Sequence, residues 1–253
     1  MLFRKVVYRS ILVGVLAGLA LSAVQRVQVV PIIFAAETFE SASMGTASGE
    51  ADGHDHEHWG PEDGFERTLS TAIANVLTAI GFALVVLSVM LIVQTWSRHK
   101  PTRFAWRRAL GWSLGGYAVF WLAPALGLPP EIPLQNAAEL QDRQVWWVIC
   151  VVCTAAGLGG LAFAPAPWRW VAPLVIAIPY LIGAPHPEGP MFLGQTPETA
   201  RALEALAADF VYATAFANAV FWLVLGSAVS WAGVRINRDM ATAQTGSSKS
   251  AAY

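Results

Sequence analysis

Six long apolar runs constrain this chain more than any other feature of its sequence. A helix that crosses the hydrocarbon core of a bilayer needs about 20 mostly apolar residues. No Asp, Glu, Lys or Arg lies at the centre of a run, and Arg169 lies near the start of the fifth. The runs predict an all-α, polytopic integral membrane helix bundle with six spans: Val6–Val24, Leu69–Thr95, Ala109–Leu128, Val145–Ala164, Trp168–Ala184 and Phe210–Val234.

Composition supports the same class. Charged residues make up 13% of the 253 residues and hydrophobic residues 55%, whereas soluble domains carry about 25% charged residues. Mean hydropathy is +0.49. One soluble core could not hide this much apolar surface. We therefore expect a single transmembrane domain over residues 1–238, an external loop over residues 25–68 and a flexible cytoplasmic tail over residues 239–253.

Two of the runs leave alternatives open. Arg4, Lys5 and Arg9 give the first run a basic start, so it could be a cleaved secretory signal, which would leave five spans. The fifth run is short and contains Pro173 and Pro179, which predict a kink whose freed backbone groups bond to neighbouring helices.

Charge placement predicts that both ends are cytoplasmic. With the amino terminus inside, 12 of the 16 basic residues fall in inside segments, and 16 of the 17 acidic residues fall outside. This distribution satisfies the positive-inside rule in every loop. Asp239 is the one acidic residue predicted inside, and the basic residues predicted outside are Arg26, Arg67, Arg143 and Arg201.

Small and polar residues within the runs predict helix contacts. The pairs Gly14/Gly18 and Gly111/Gly115 are G-x-x-x-G motifs, which let helix backbones approach closely. Asn75 and Asn218 lie on polar faces of the second and sixth runs. Such faces either bond helices together or line a hydrated path, and we consider both amides as residues of a transport path.

The most informative polar segment is the histidine tract, residues 54–58, in the external loop. Imidazole binds cobalt, nickel, zinc and copper, and carboxylates complete the coordination of such cations. Unperturbed imidazole titrates at about pH 6.5, so the tract would bind at neutral pH and release metal on acidification. The alternative is a charged linker without a ligand. The predicted ligands are His54, Asp55, His56, Glu57 and His58.

Two further external segments carry candidate ligands between prolines, which keep the backbone extended. His186 and Glu188 follow the fifth run, and Glu131 follows the third. Trp146 and Trp147, at the start of the fourth run, are typical of an interfacial aromatic belt.

The sequence contains no pattern that predicts catalysis. A phosphate-binding glycine loop, a G-x-S-x-G motif and paired span histidines for haem are all missing from it. Cys150 and Cys153 lie in an apolar run, where thiols are poor nucleophiles and poor ligands. We expect a protein that is not an enzyme, has no organic cofactor and binds no nucleic acid.

Three external segments, taken in order, resemble the CbtA family of predicted cobalt transporter subunits. They are the stretch from His54 to Thr68, the corner Leu128-Pro129-Pro130-Glu131 with Arg143-Gln144 and Trp146-Trp147, and Ile182-Gly183-Ala184-Pro185-His186-Pro187. The resemblance covers nearly the whole chain. It departs at Ile132-Pro133-Leu134, where the family pattern implies a Leu-Pro-Gly ending.

The resemblance implies a multi-pass protein of the bacterial inner membrane that takes up cobalt for cobalamin synthesis. It also implies a partner, the small single-span CbtB subunit. The residues themselves predict only a divalent cation, with nickel, zinc and copper as alternatives to cobalt. A non-transporting metal-binding or assembly subunit of a separate permease is the other hypothesis. The sequence is also compatible with a homo-oligomer.

Overall fold

The computed structural model describes residues 2–47, 64–96, 101 and 103–250, and its regular elements are helical throughout these ranges. The all-α prediction is confirmed. A π-helical turn, Ala118–Leu122, precedes α5, and a 3-10 turn, Trp168–Val171, precedes α7. The helices are α1 (Leu2–Gln28), α2 (Val30–Ala47), α3 (Phe65–Trp96), α4 (Trp106–Tyr117), α5 (Ala123–Gly127), α6 (Leu140–Phe163), α7 (Ala172–Ile182) and α8 (Pro197–Ser250).

Five helical stretches in the described ranges are long and apolar enough to cross a membrane: Leu2–Gln28, Phe65–Thr95, Trp106–Gly127, Leu140–Phe163 and Pro197–Ala243. They coincide with five of the six predicted runs. The remaining run forms a shorter apolar helix, Trp168–Ile182. Pro173 lies in the first turn of α7, where a missing N–H costs nothing. Gly183, with φ of +88°, ends the helix.

Two helical segments lie where the sequence predicted none. Helix α2 occupies part of the predicted external loop, and α8 continues to Ser250, through most of the predicted flexible tail. Tertiary packing explains the first difference, because Ala36 of α2 is fully buried against residues distant in sequence. Ion pairing contributes to the extension of α8, since Asp239 of α8 bonds to Lys5 and Arg9.

The described residues group into two compact units. The first draws on Met1–Ala23, Glu62–Gly116 and Ala219–Tyr253. The part of α8 that begins at Ala219 belongs to this unit, and its Trp222, Leu225 and Val229 are buried. The ring of Trp222 packs edge-on against Phe82 of α3, with ring centroids 5.4 Å apart.

Glycines determine the closest helix contacts of the first unit. A methyl group added to Gly14 would lie 2.5 Å from Cα of Ile80, and one added to Gly18 would lie 2.6 Å from Cα of Val76. The first G-x-x-x-G motif therefore holds α1 against α3, as predicted. The prediction for Gly111 and Gly115 was wrong within the described structure, because open space surrounds both.

Other glycines hold α8 against its neighbours instead. An added methyl group at Gly226 would meet Ser113 of α4, and one at Gly233 would meet Met90 of α3. Neither position belongs to a G-x-x-x-G motif, so spacing alone could not identify them.

An ion-pair cluster joins the start of α1 to the end of α8. Oδ2 of Asp239 lies 2.9 Å from the guanidinium of Arg9 and 3.3 Å from Nζ of Lys5. Arg9 also donates a hydrogen bond to the carbonyl of Ala232. These contacts explain why an acidic residue occurs among the basic residues that follow the last apolar run.

The second unit draws on Val24–Pro61 and Tyr117–Asn218. Trp146 is its anchor, being 3% exposed and donating a hydrogen bond from Nε1 to the carbonyl of Pro179, 3.0 Å away. A side chain at Gly127 would overlap the Trp146 ring. The interfacial interpretation of Trp146 was therefore wrong: this indole is part of the core between α5, α6 and α7.

We expect Gly18→Val to destabilise the protein by about 1–3 kcal/mol, because the added methyl groups would push α1 away from α3. Gly115→Val is the matched control, with the same change in helix propensity but no neighbour to displace, and should shift stability by no more than about 0.5 kcal/mol. Denaturant titration in detergent, followed by tryptophan fluorescence, measures both. Equal losses for the two variants would contradict the close α1–α3 contact.

Candidate functional site

The candidate ligands divide into those that the structure describes and those that it does not. His54, Asp55, His56, Glu57 and His58 lie outside the described residues. Within the described ranges, no three His, Cys, Asp or Glu side chains form a group that could hold a metal ion. The remaining candidate ligands, Glu131, His186 and Glu188, lie on two loops.

Two loops of the second unit, residues 128–139 and 183–196, are bonded to each other, and we call them the paired loops. Asn136 makes the connection with three hydrogen bonds. Its backbone N–H donates to the carbonyl of Met191 at 2.8 Å, and its Nδ2 donates to the carbonyls of Glu188 at 2.9 Å and Pro190 at 3.3 Å. One amide therefore fixes the turn that follows His186.

An apolar cluster supports the paired loops. Ile132 and Phe192, one from each loop, are 4% exposed, and they pack with residues of α2 and the first turns of α8. The cluster comprises Ala36, Ile132, Phe192, Leu203 and Ala207. Burial of these side chains gives the loops an ordered base in place of a flexible connection.

The corner of the first loop has an unusual backbone. Leu134 adopts φ of +68°, in the left-handed region where a side chain is disfavoured. This is the position at which the family pattern implies glycine. Leu134 keeps the conformation while its side chain packs against the apolar cluster.

Glu131, a predicted metal ligand, is engaged by a basic residue. Its Oε2 lies 2.6 Å from a terminal nitrogen of Arg143 in the first turn of α6. The Glu131 side chain is 18% exposed and that of Arg143 30% exposed, so the pair is partly shielded from water. The Glu131 carboxylate is thus engaged by a cationic side chain of the same chain, and its role as a metal ligand stays a prediction.

His186 and Glu188 are both exposed on the second loop. The contact with Asn136 uses the backbone carbonyl of Glu188 and leaves its carboxylate out of the bond. Both side chains are thus accessible to a ligand, while the backbone from Glu188 to Met191 is bonded to Asn136. Their role in metal binding stays a prediction.

The two amides considered for a transport path make hydrogen bonds within the protein. Nδ2 of Asn75 donates to the hydroxyl of Ser22 at 3.0 Å, joining α3 to α1. Nδ2 of Asn218 donates to the carbonyl of Thr214, one turn earlier in α8. Asn75 thus serves as an interhelical contact, and a path role for either residue stays a prediction.

Sequence reasoning missed the hydrogen bonds of Asn136 and the ion pair of Arg143. The sequence did hold a clue to the ion pair of Arg143, because Arg143 is one of only four basic residues predicted outside, among 16 acidic ones. No sequence pattern could identify Asn136, because the carbonyl groups that it bonds to lie more than 50 positions away in sequence. The prediction of inert thiols agrees with the packing of Cys150, which is fully buried beside Ala123 and Trp146.

We expect Asn136→Ala to loosen the second loop by removing two hydrogen bonds, each worth about 1 kcal/mol. Hydrogen–deuterium exchange of residues 186–194 should accelerate about fivefold or more. Gln135→Ala is the control, because among the described residues the Gln135 side chain bonds within its own loop, where its Oε1 accepts from the N–H of Ile132. Unchanged exchange in the Asn136 variant would show that the apolar cluster alone holds the loops.

Comparison with known proteins gives one match. The family model CbtA, described as a probable cobalt transporter subunit, matches residues 3–233. No curated protein and no solved structure matches the chain. The match extends over nearly the whole chain and is not confined to one motif. The chain belongs to the CbtA family of probable cobalt transporter subunits.

Proposed function

We propose that this chain is the subunit through which a divalent transition metal, cobalt first, enters a bacterial cell across the inner membrane for cobalamin synthesis. The observation that carries the proposal is the family match over residues 3–233. The described helices, five of which have membrane-spanning length and composition, support a membrane location. Nickel, zinc and copper are the competing substrates that the ligand chemistry allows.

In this proposal, the metal is captured outside by the histidine tract, residues 54–58, and is received by His186, Glu188 and Glu131 on the paired loops. The tract supplies imidazole and carboxylate ligands in a short segment. Asn136 supports the second step, because it connects the loop of Glu131 to the loop of His186 and Glu188. Asn75 and Asn218 then line the path along which the metal crosses the membrane.

Six crossings with both ends cytoplasmic complete the proposed topology. The Asp239 ion pairs bring the start of α1 close to the end of α8, and ends on one side require an even number of crossings. The shorter helix Trp168–Ile182 then supplies the sixth. Its support is antiparallel packing on α6: Trp146 meets Pro179, while Gly157 meets Ile176.

The family description as a subunit implies that other subunits exist. We propose a small single-span CbtB-like protein as the partner, with the lipid bilayer as the surrounding medium. A homo-oligomer is compatible with this arrangement. We propose a transport role without enzymatic activity, organic cofactor or nucleic-acid binding.

Replacing His54, His56 and His58 together with Ala should raise the external cobalt concentration needed for half-maximal uptake about tenfold or more, because three imidazole ligands are lost. Radiocobalt accumulation by cells expressing the full chain measures this. His99→Ala is the matched control, since His99 lies in a segment predicted inside. Equal accumulation in deletion and overexpression strains would refute the uptake function.

A second candidate function is a metal-binding subunit that delivers ions to a separate permease. The hydrogen bonds of Asn75 and Asn218 favour it, because both amides are engaged by the protein in the described structure. The absence of charged residues at the centres of the apolar runs also favours a metal-binding subunit over a transporter.

Vesicles containing the purified chain separate the two functions. If the chain transports by itself, cobalt added outside should accumulate in the lumen, and protein-free vesicles provide the control. If accumulation requires the CbtB-like partner or another permease, vesicles with the chain alone should bind cobalt on their surface without raising its luminal concentration.

A further inference from the structure

The pairing of Glu131 with Arg143 has a geometry that deepens the proposed function. The two residues approach from different elements, one from the corner after α5 and the other from the first turn of α6. Their side chains are partly withdrawn from water, which strengthens their attraction relative to an exposed pair. A positive charge therefore already pairs with the better shielded of the two candidate carboxylates that the structure describes, Glu131 and Glu188.

The arginine is incompletely satisfied. A guanidinium offers five N–H donors in a fixed fork, and the contact to Glu131 uses one terminal nitrogen. Its Nε atom is buried and makes no hydrogen bond within the part of the chain that the structure describes. A purely structural arginine usually bonds through more of its fork, so the position of this side chain depends largely on charge.

We propose that Arg143 is a specificity-determining residue whose guanidinium competes with the incoming cation for the carboxylate of Glu131. A divalent ion interacts with a carboxylate about twice as strongly as a guanidinium at equal distance, because Coulomb energy scales with charge. This surplus attraction works against the cost of removing water from the ion, so a cation of charge two gains Coulomb energy by displacing the arginine. The proposal rests on the proposed function, in which Glu131 receives the metal.

The same competition excludes monovalent cations. Sodium or potassium carries the charge of the guanidinium it would replace and gains no Coulomb energy by the exchange. The arginine also has the advantage of being attached to the same chain, which gives it a high effective concentration at Glu131. The ion pair thus admits divalent cations and keeps the carboxylate closed to the more abundant monovalent ones.

A structural tie between the corner and α6 is the competing explanation, and the two differ in the sign of one effect. If the pair only ties the two segments, Arg143→Gln and Glu131→Gln both loosen the site and both weaken metal binding. If Arg143 competes with the metal, Arg143→Gln strengthens binding, whereas Glu131→Gln weakens it.

The experiment measures cobalt binding by equilibrium dialysis of the purified full chain. The histidine tract is first replaced by Ala at His54, His56 and His58, so that the remaining binding reports the paired loops. In this background, Arg143→Gln should lower the dissociation constant about threefold or more, the amount expected when a partly exposed ion pair no longer has to be broken. Glu131→Gln should raise it by a similar factor.

Two controls complete the test. Arg143→Lys keeps the positive charge and should leave cobalt affinity within about twofold, and sodium chloride should reduce cobalt binding more in Arg143→Gln than in the parent. Unfolding curves verify that each variant is folded, with Arg143→Lys as the variant least prone to misfold. Unchanged or weaker cobalt binding in folded Arg143→Gln overturns the proposal, as does a parent that binds no cobalt at the paired loops.

Failure of this inference is distinguishable from failure of the proposed function. Cobalt uptake that depends on the histidine tract, with no gain of affinity in Arg143→Gln, rejects the role of Arg143 alone. An absence of cellular uptake, with the predicted opposite shifts still measured in dialysis, rejects transport and retains the competition at Glu131.

Discussion

Hydrocarbon solvates neither charge nor an unpaired backbone amide, and this constraint underlies the other features of the protein. Helices satisfy their own backbone groups, so helical segments cross the bilayer and the polar chemistry moves to the connections. Many of the buried residues of the first unit are apolar or small where helices meet, as at Gly14 and Gly18 against α3. The buried amides of Gln94 and Asn237 bond to each other. Metal-binding chemistry, if cobalt is the substrate, must therefore begin on loops and receive its rigidity from elsewhere.

That rigidity comes from contacts outside the apolar runs. The cluster around Ile132 and Phe192 orders two proline-rich segments that would otherwise depend on backbone stiffness alone. Asn136 then fixes the turn after His186 by bonding to its carbonyl groups, and the side chains of His186 and Glu188 stay exposed. An arrangement of this kind combines accessible ligands with an ordered base, as binding sites on scaffolded loops generally do.

Patterns that act within one segment were predicted well, and those that depend on distant partners were not. Apolar length gave the long helices, and the spacing of Gly14 and Gly18 gave a true helix contact. The identical spacing of Gly111 and Gly115 failed, because a motif cannot state which face a neighbour occupies. Trp146 and α2 depend on residues far away in sequence, and the pairing of Glu131 with Arg143 depends on how the corner between them folds. Local composition predicts such residues to be interfacial, in a loop or exposed. Their actual positions become clear only from tertiary packing.

The left-handed backbone at Leu134 has an evolutionary consequence. A side chain in this conformation costs about 1 kcal/mol, but glycine there would enlarge the entropy of the unfolded chain by a similar amount and would forfeit the packing of the leucine on its cluster. The entropy and packing contributions together offset the conformational cost, so the corner tolerates leucine where the family pattern implies glycine. Divergence at this site among relatives is then a poor guide to divergence in cargo.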